Sequence, residues 1–320
     1  MNKIFRFLLK LLGIVVIVLI CGATFIAVRG IPGYEKSNLT GKVEATPDRI
    51  ERGKKLALLL CANCHLDPAT GKLTGKQMHD APSEFGKIFS QNITQDKQYG
   101  IGEWTDGELI YLFRTGIKRD GKYAPPWMAK LTNMADEDIN SIISFLHSDD
   151  ALVTASSTPD FPCEPSFLSK FLCAVAFKPF PMPNHKIELP DTNNAVQFGK
   201  YLAHNLDCFS CHSADFKTND YLNPEKSVGY FGGGNKPLNT EGKIIPTQNL
   251  TPDPETGIGK WSEERFVDAL KNGKMVDQPS LRYPMVPYVY LTDKEAKAIY
   301  AYFQTIPPIV NKVPRAAFDQ

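Results

Sequence analysis

Cys61-Ala-Asn-Cys64-His65 and Cys208-Phe-Ser-Cys211-His212 are two pentapeptides of one type, Cys-x-x-Cys-His, offset from each other by 147 positions. That spacing suits covalent attachment of heme c. Two thiols add across the vinyl groups of one porphyrin, and the histidine that follows falls beneath the iron as its proximal ligand. Zinc sites and thioredoxin-like dithiols also use Cys-x-x-Cys. Neither explains a histidine in the fifth place of both copies, and no strand and helix alternation surrounds either motif. The expectation is two covalently bound hemes c, attached through Cys61, Cys64, Cys208 and Cys211, with His65 and His212 as iron ligands.

An internal repeat orders the rest of the chain. A shift of 157 carries Asn92-Ile-Thr94 to Asn249-Leu-Thr251, Gly100-Ile-Gly102 to Gly257-Ile-Gly259, and Trp104 to Trp261. The same shift carries Gly116 to Gly273, Met128 to Met285 and Asp136 to Asp293. The second copy is therefore ten residues longer between its motif and Asn249, a stretch holding Gly232-Gly-Gly234 that reads as an enlarged surface loop.

The repeat also narrows the choice of sixth ligand. Met128 and Met285 are the one corresponding methionine pair, each eight residues before the aspartate that opens the last helix of its copy. A thioether there raises the reduction potential and closes the iron. Met78, His79, Met134 and Met275 are rivals without a partner at the same offset. His147 and His204 read as surface or capping residues, and His185 as a polar linker residue.

These residues need helices to hold them. Each copy has a helix leading into the motif, one after the tryptophan and one after the methionine. Thr46-Pro47 opens the first, and Thr105-x-x-Glu108 and Thr292-x-x-Glu295 are capping boxes. Short helices joined by long loops fold when a macrocycle supplies the apolar centre they lack.

Residues 11–28 carry no charge and follow Lys3, Arg6 and Lys10. That run is long enough to span a bilayer, and the flanking charge keeps its start in the cytoplasm. A retained single-pass anchor is favoured over a cleaved signal peptide, because the run is long and lacks a small-x-small cleavage site. Cys21 reads as lipid-facing. The localisation expected is the cytoplasmic (inner) membrane, with the remainder on the periplasmic side.

The chain has 320 residues with 36 basic against 35 acidic side chains, a balance that shows no bias toward nucleic acid. The domains expected are an anchor over 1–30, a first heme domain over 31–148, a linker over 149–190 and a second heme domain over 191–320. The linker holds seven prolines and a short apolar segment, 166–178, expected to pack between the domains. Of seven cysteines, Cys163 and Cys173 remain after hemes and anchor are served, and they are expected to pair as a disulfide in an oxidising compartment.

The helix and motif from Gly53 to His65, and from Phe198-Gly-Lys-Tyr-Leu202 to His212, resemble class I c-type cytochromes. Tyr283-Pro-Met285-Val-Pro-Tyr288, Leu291-Thr-Asp293, Ile306-Pro-Pro308 and Asn249-Leu-Thr-Pro-Asp253 resemble the cytochrome c subunits of bacterial membrane-bound dehydrogenases. The resemblance covers about 47–147 and 194–310. It implies a mainly α fold with two tandem class I cytochrome c domains, His/Met ligation and electron transfer. The family places proline directly after the ligand methionine, where this chain has Ala129 and Val286, and its alcohol-oxidising members commonly carry three hemes.

Trp104 and Trp261 are then expected at the porphyrin edge. Asn92 and Asn249 are expected to bond the ligand loop or the propionates. The function expected is a membrane-anchored diheme electron carrier, not an enzyme. Its donor would be a dehydrogenase or quinol-oxidising complex, and its acceptor a terminal oxidase or soluble cytochrome. The alternatives are a diheme enzyme of peroxidase or thiosulfate dehydrogenase type, or an integral subunit of a larger respiratory complex.

Overall fold

A computed structural model describes residues 3–275 and 280–316. Residues 1–2 of the expected anchor, and 276–279 and 317–320 of the second expected domain, lie outside the described residues. The fold is mainly α-helical.

Helix α1 (Lys3–Arg29) has no buried residue and is long and apolar enough to cross a membrane. At 1.5 Å per residue it extends about 40 Å. Two helical units follow. In the first, α2 (Pro47–Leu60) continues into the short α3 (Ala62–His65), and α4 (Asp106–Thr115) and α5 (Asp136–Leu146) complete the set. Its core joins Leu56, Ala57, Leu109, Phe113, Ile139, Ile142 and Phe145. After α6 (Phe167–Val175) in the linker, the second unit repeats the order with α7 (Ala195–Asn205), α8 (Cys208–His212), α9 (Glu263–Asn272) and α10 (Asp293–Phe303). Phe198, Leu202, Phe266, Leu270, Ile299 and Phe303 fill its core.

The caps act as their sequences require. Thr46 accepts the Arg49 N–H, and both capping boxes close at Thr105–Glu108 and Thr292–Glu295. In each unit the motif-bearing helix crosses the last helix at a glycine. A Cβ on Gly53 would fall 1.8 Å from the Ser141 carbonyl oxygen, and one on Gly199 the same distance from that of Ala298. Only hydrogen fits at either crossing. An ion pair also recurs, Arg114 with Asp136 and Lys271 with Asp293, tying the middle helix of each unit to the start of its last.

The units meet through α2, α5, α7 and α10. The Tyr201 hydroxyl donates to Asp138, Lys55 pairs with Glu295 at 2.5 Å, and Leu59 of the first unit joins the core of the second. Thr132 and Asn133 both donate to the Tyr221 carbonyl.

The linker departs from expectation. Strand β1 (Gly86–Lys87) pairs with β2 (Glu164–Pro165), and the Ser169 hydroxyl donates to the Phe85 carbonyl at 2.7 Å. These bonds draw α6 onto the first unit beside the last turn of α1, rather than between the units. Only farther along does the linker reach the second unit, where the rings of Phe180 and Tyr221 lie 6.0 Å apart. Cys163 and Cys173 are separate thiols in this arrangement. The Cys163 sulfur is held on the Phe89 backbone, while Cys173 is buried on the inner face of α6.

Candidate heme sites

Helix α2 runs directly into the first motif, the Cys61 N–H donating to Ala57 and the His65 N–H to Cys61. His65 then turns its Nδ1 to the Gln91 carbonyl at 2.7 Å. The second copy repeats the contact, His212 Nδ1 lying 2.8 Å from the Gln248 carbonyl. A carbonyl only accepts, so Nδ1 carries the proton and Nε2 keeps a lone pair for a metal. Burial lowers the pKa of both imidazoles, which keeps them in the neutral, ligating form.

Gln91 and Gln248 escaped the reading of the sequence, although each directly precedes a matched asparagine and the two share the 157 offset. Their contribution is a backbone atom, which residue chemistry does not advertise. The longer stretch of the second copy is a surface loop, exposed over 240–244, and its glycines add a second backbone contact. The Gly233 N–H donates to the His212 carbonyl at 2.8 Å, as the Gly75 N–H does to that of His65. Gly232 and Gly233 are buried against the proximal loop rather than exposed.

Burial pushes the Cys61, Cys208 and Cys211 thiols up to about 12 and raises Cys64 as well. Thiolate chemistry asks for the opposite shift. The motifs differ in one respect: the second has one more residue between its helix glycine and its first cysteine. The chain accommodates it at Asp207, which takes φ 60° between α7 and α8. The Asp207 carboxyl receives the Ser210 hydroxyl at 2.7 Å, and burial pushes it up to about 7.

A cavity of about 1050 Å³ opens beside the first motif. Cys61, Cys64, His65, Asn92, Trp104 and Met128 all line it, so every first-copy candidate converges on one space. Apolar Ile101, Leu112 and Phe113 supply further wall. The size, the apolar wall, two cysteines, an imidazole with Nε2 available and a thioether fit a covalently held heme. In the second unit Cys208, Trp261 and Met285 pack on one core, with His212 and Asn249 buried nearby.

Met134 is buried in the first core and His79 is exposed, so neither faces the cavity as Met128 does. Met78 does line it. Lys130 shapes the Met128 loop by donating its Nζ to the carbonyls of Pro125 at 2.8 Å and Met128 at 2.6 Å.

The asparagines work differently from expectation. Asn92 accepts from the Thr94 N–H and hydroxyl and donates to the Ser156 and Thr158 carbonyls, which uses its whole amide. Asn249 likewise accepts twice from Thr251 and donates to Thr256 and the Ile309 carbonyl. Both fasten the segment after the last helix onto the loop that carries the histidine acceptor. Trp104 lines the cavity, while Trp261 lies under the Arg265 guanidinium, 4.3 Å from its ring.

His147 faces Asp106 at 3.6 Å and His185 is exposed. His204, expected as a surface or capping residue, stands half-buried in the last turn of α7, where its Nε2 meets the Tyr230 hydroxyl within a cluster that includes Phe209 and Tyr302. Asp207, Phe209 and Tyr221 of the second unit also line the first cavity. Burial and the nearby Asp80 carboxylate raise the Tyr283 pKa.

No family model matches the chain. It is 28% identical over 294 residues to the cytochrome c subunit of a quinone alcohol dehydrogenase from Gluconacetobacter polyoxogenes, covering 86% of this chain and 60% of that protein. It is also 28% identical over 274 residues to the fructose dehydrogenase cytochrome subunit of Gluconobacter japonicus, covering 81% and 52%. A diheme c-type cytochrome of Cereibacter sphaeroides is 26% identical over 263 residues, with 78% and 82% covered. The homologues of this chain are thus cytochrome c subunits of dehydrogenases and a diheme cytochrome c. The chain spans 60% of the length of the alcohol dehydrogenase subunit.

Proposed function

We propose that this chain is a membrane-anchored diheme cytochrome c that passes single electrons from a dehydrogenase or quinol-oxidising donor to a downstream acceptor, such as a terminal oxidase or soluble cytochrome. In this reading α1 is a retained anchor, 31–148 and 191–320 are class I cytochrome c domains, and 149–190 joins them on the periplasmic side. The observation that carries it is the doubled site. In each unit a histidine is fixed through Nδ1 to a glutamine carbonyl, and a methionine from the loop before the last helix packs on the same core as the motif.

Bound heme supplies one-electron exchange at iron. The chain does the rest. Cys61, Cys64, Cys208 and Cys211 hold the macrocycles, and His65 and His212 each present Nε2. Met128 and Met285 would supply the second ligand to each iron and so leave no position for substrate. Apolar walls exclude water. Phe209 and Tyr221 of the second unit line the first cavity, so the two sites share one protein interior, which suits transfer between them.

The test is a redox titration followed by optical and magnetic spectroscopy on wild type, Met128→Ala and Met285→Ala. Two low-spin hemes are expected in the wild type and loss of one thioether ligand in each variant. A high-spin resting heme that binds cyanide, or turnover of peroxide, would instead favour the enzyme reading. An unchanged spectrum in Met128→Ala would move the assignment to Met78.

A further inference from the structure

Helix α6 sits where the anchor leaves the membrane in the reading above. Lys170 Nζ donates to the Ala27 carbonyl at 3.3 Å, in the last turn of α1. Helix α6 is fixed to the first unit through Ser169 and Ser166, which donate to the Phe85 and Glu84 carbonyls. Ser169 and Cys173 on its inner face are fully buried. By the helical period of 3.6, Phe167, Leu168, Phe171 and Val175 share the outer face. They are 49%, 41%, 40% and 56% exposed.

Two phenylalanines, a leucine and a valine on one open helix face form a contiguous apolar patch of the kind that marks an interaction surface. Its position selects the occupant. At the foot of a membrane-spanning helix the one surface always within reach is lipid. A nine-residue helix is short for an independent membrane anchor. Here α1 already holds it at the surface, so the local concentration of lipid replaces the affinity that α6 lacks.

We propose that α6 is an interfacial helix, its Phe167, Leu168, Phe171 and Val175 face sunk into the outer leaflet beside the exit of α1. The inference rests on the anchor reading of α1. Its consequence is orientation. A spanning helix alone leaves its passenger free to swing, but two contacts with one bilayer fix the tilt of the first unit. Arg29, Gly30 and Ile31 at the end of α1 line the first cavity, so that cavity is held near the membrane surface.

The experiment uses the full-length holoprotein in nanodiscs of phosphatidylcholine and phosphatidylglycerol, doped with a phospholipid carrying a diazirine near its glycerol. Illumination and peptide mapping then read which residues touch lipid. Label is expected on α1 and on Phe167, Leu168, Phe171 and Val175. It is not expected on Val228 or Val310, comparably exposed apolar residues of the second unit. A Leu168→Glu, Phe171→Glu variant is expected to lose label at Phe167 and Val175 while α1 labelling and both heme spectra stay as in wild type. Label on α1 without α6 would overturn the interfacial helix and leave the anchor standing, and if native membranes then shielded α6 from a soluble carbene reagent, a protein partner would be its cover. Absence of label from both helices would remove the anchor, and the inference with it.

Discussion

Tyr201, on the first helix of the second unit, donates its hydroxyl at 2.5 Å to Asp138, on the last helix of the first. The same oxygen accepts the Ala135 N–H at 3.1 Å, and Arg52 completes the shell of a carboxylate with no exposed surface. A tyrosine of one unit is thus an internal part of the other.

Tyr201→Phe tests whether this joint couples the units. The substitution keeps the ring but strips the Ala135 N–H of its acceptor and Asp138 of a donor, each a buried group whose exposure to an unmet bond costs about 1–3 kcal/mol. The expected result is a lower urea midpoint for the holoprotein, with separate transitions for the two units where wild type has one. A midpoint within error of wild type would show that the joint contributes nothing.

Gly53→Ala and Gly199→Ala probe the paired helix crossings. Each new methyl would need the facing backbone oxygen to retreat from 1.8 Å, and backbone cannot swing aside as a side chain does. A loss of about 3 kcal/mol or more is expected from such overpacking. Because the crossing sets where the motif lies, each variant is expected to carry one heme fewer than wild type, read by heme stain and pyridine hemochrome quantitation. Full loading of both variants would mean that the crossings tolerate a side chain.

The repeat made much of this legible. Thr105 and Thr292 announce their capping roles through side-chain chemistry, and the structure follows them. Gln91 and Gln248 did not, since a carbonyl belongs to every residue and only folding selects the one that meets a histidine. Asn92 and Asn249 were recognised as important but given the wrong partner, because a short amide satisfies its neighbours before it can reach a macrocycle. The position of α6 was hidden for a different reason. It depends on a two-residue strand pairing, too short to leave a periodic signal.

Lys130 offers a test confined to one site. Its Nζ holds the Pro125 and Met128 carbonyls, with the Tyr123 ring 4.9 Å away, whereas the corresponding position in the second unit is Pro287. Lys130→Met keeps the apolar stem and removes the donor from two carbonyls. The first heme is expected to lose part of its methionine ligation, seen as a lower potential and new cyanide binding, with the second heme unchanged. Equal effects on both hemes, or none on the first, would rule out this staple.

His204 is expected to make the second unit acid-sensitive. Its Nε2 meets the Tyr230 hydroxyl, which in turn contacts that of Tyr302 at 2.6 Å, and burial lowers the imidazole pKa to about 4 while Glu225 opposes the shift and Lys200 adds to it. Between about pH 6.5 and pH 4 the unfolded histidine binds a proton that the folded one refuses, so stability present above pH 6.5 is lost as pH falls, by at most about 1.4 kcal/mol per pH unit. His204→Gln keeps a polar group beside Tyr230 but cannot titrate. Urea unfolding of both proteins from pH 7 to pH 4.5 is expected to show the gap between them narrowing or reversing toward acid, as wild type weakens and the variant does not. Parallel curves would mean that His204 is not the residue that senses acid in this unit.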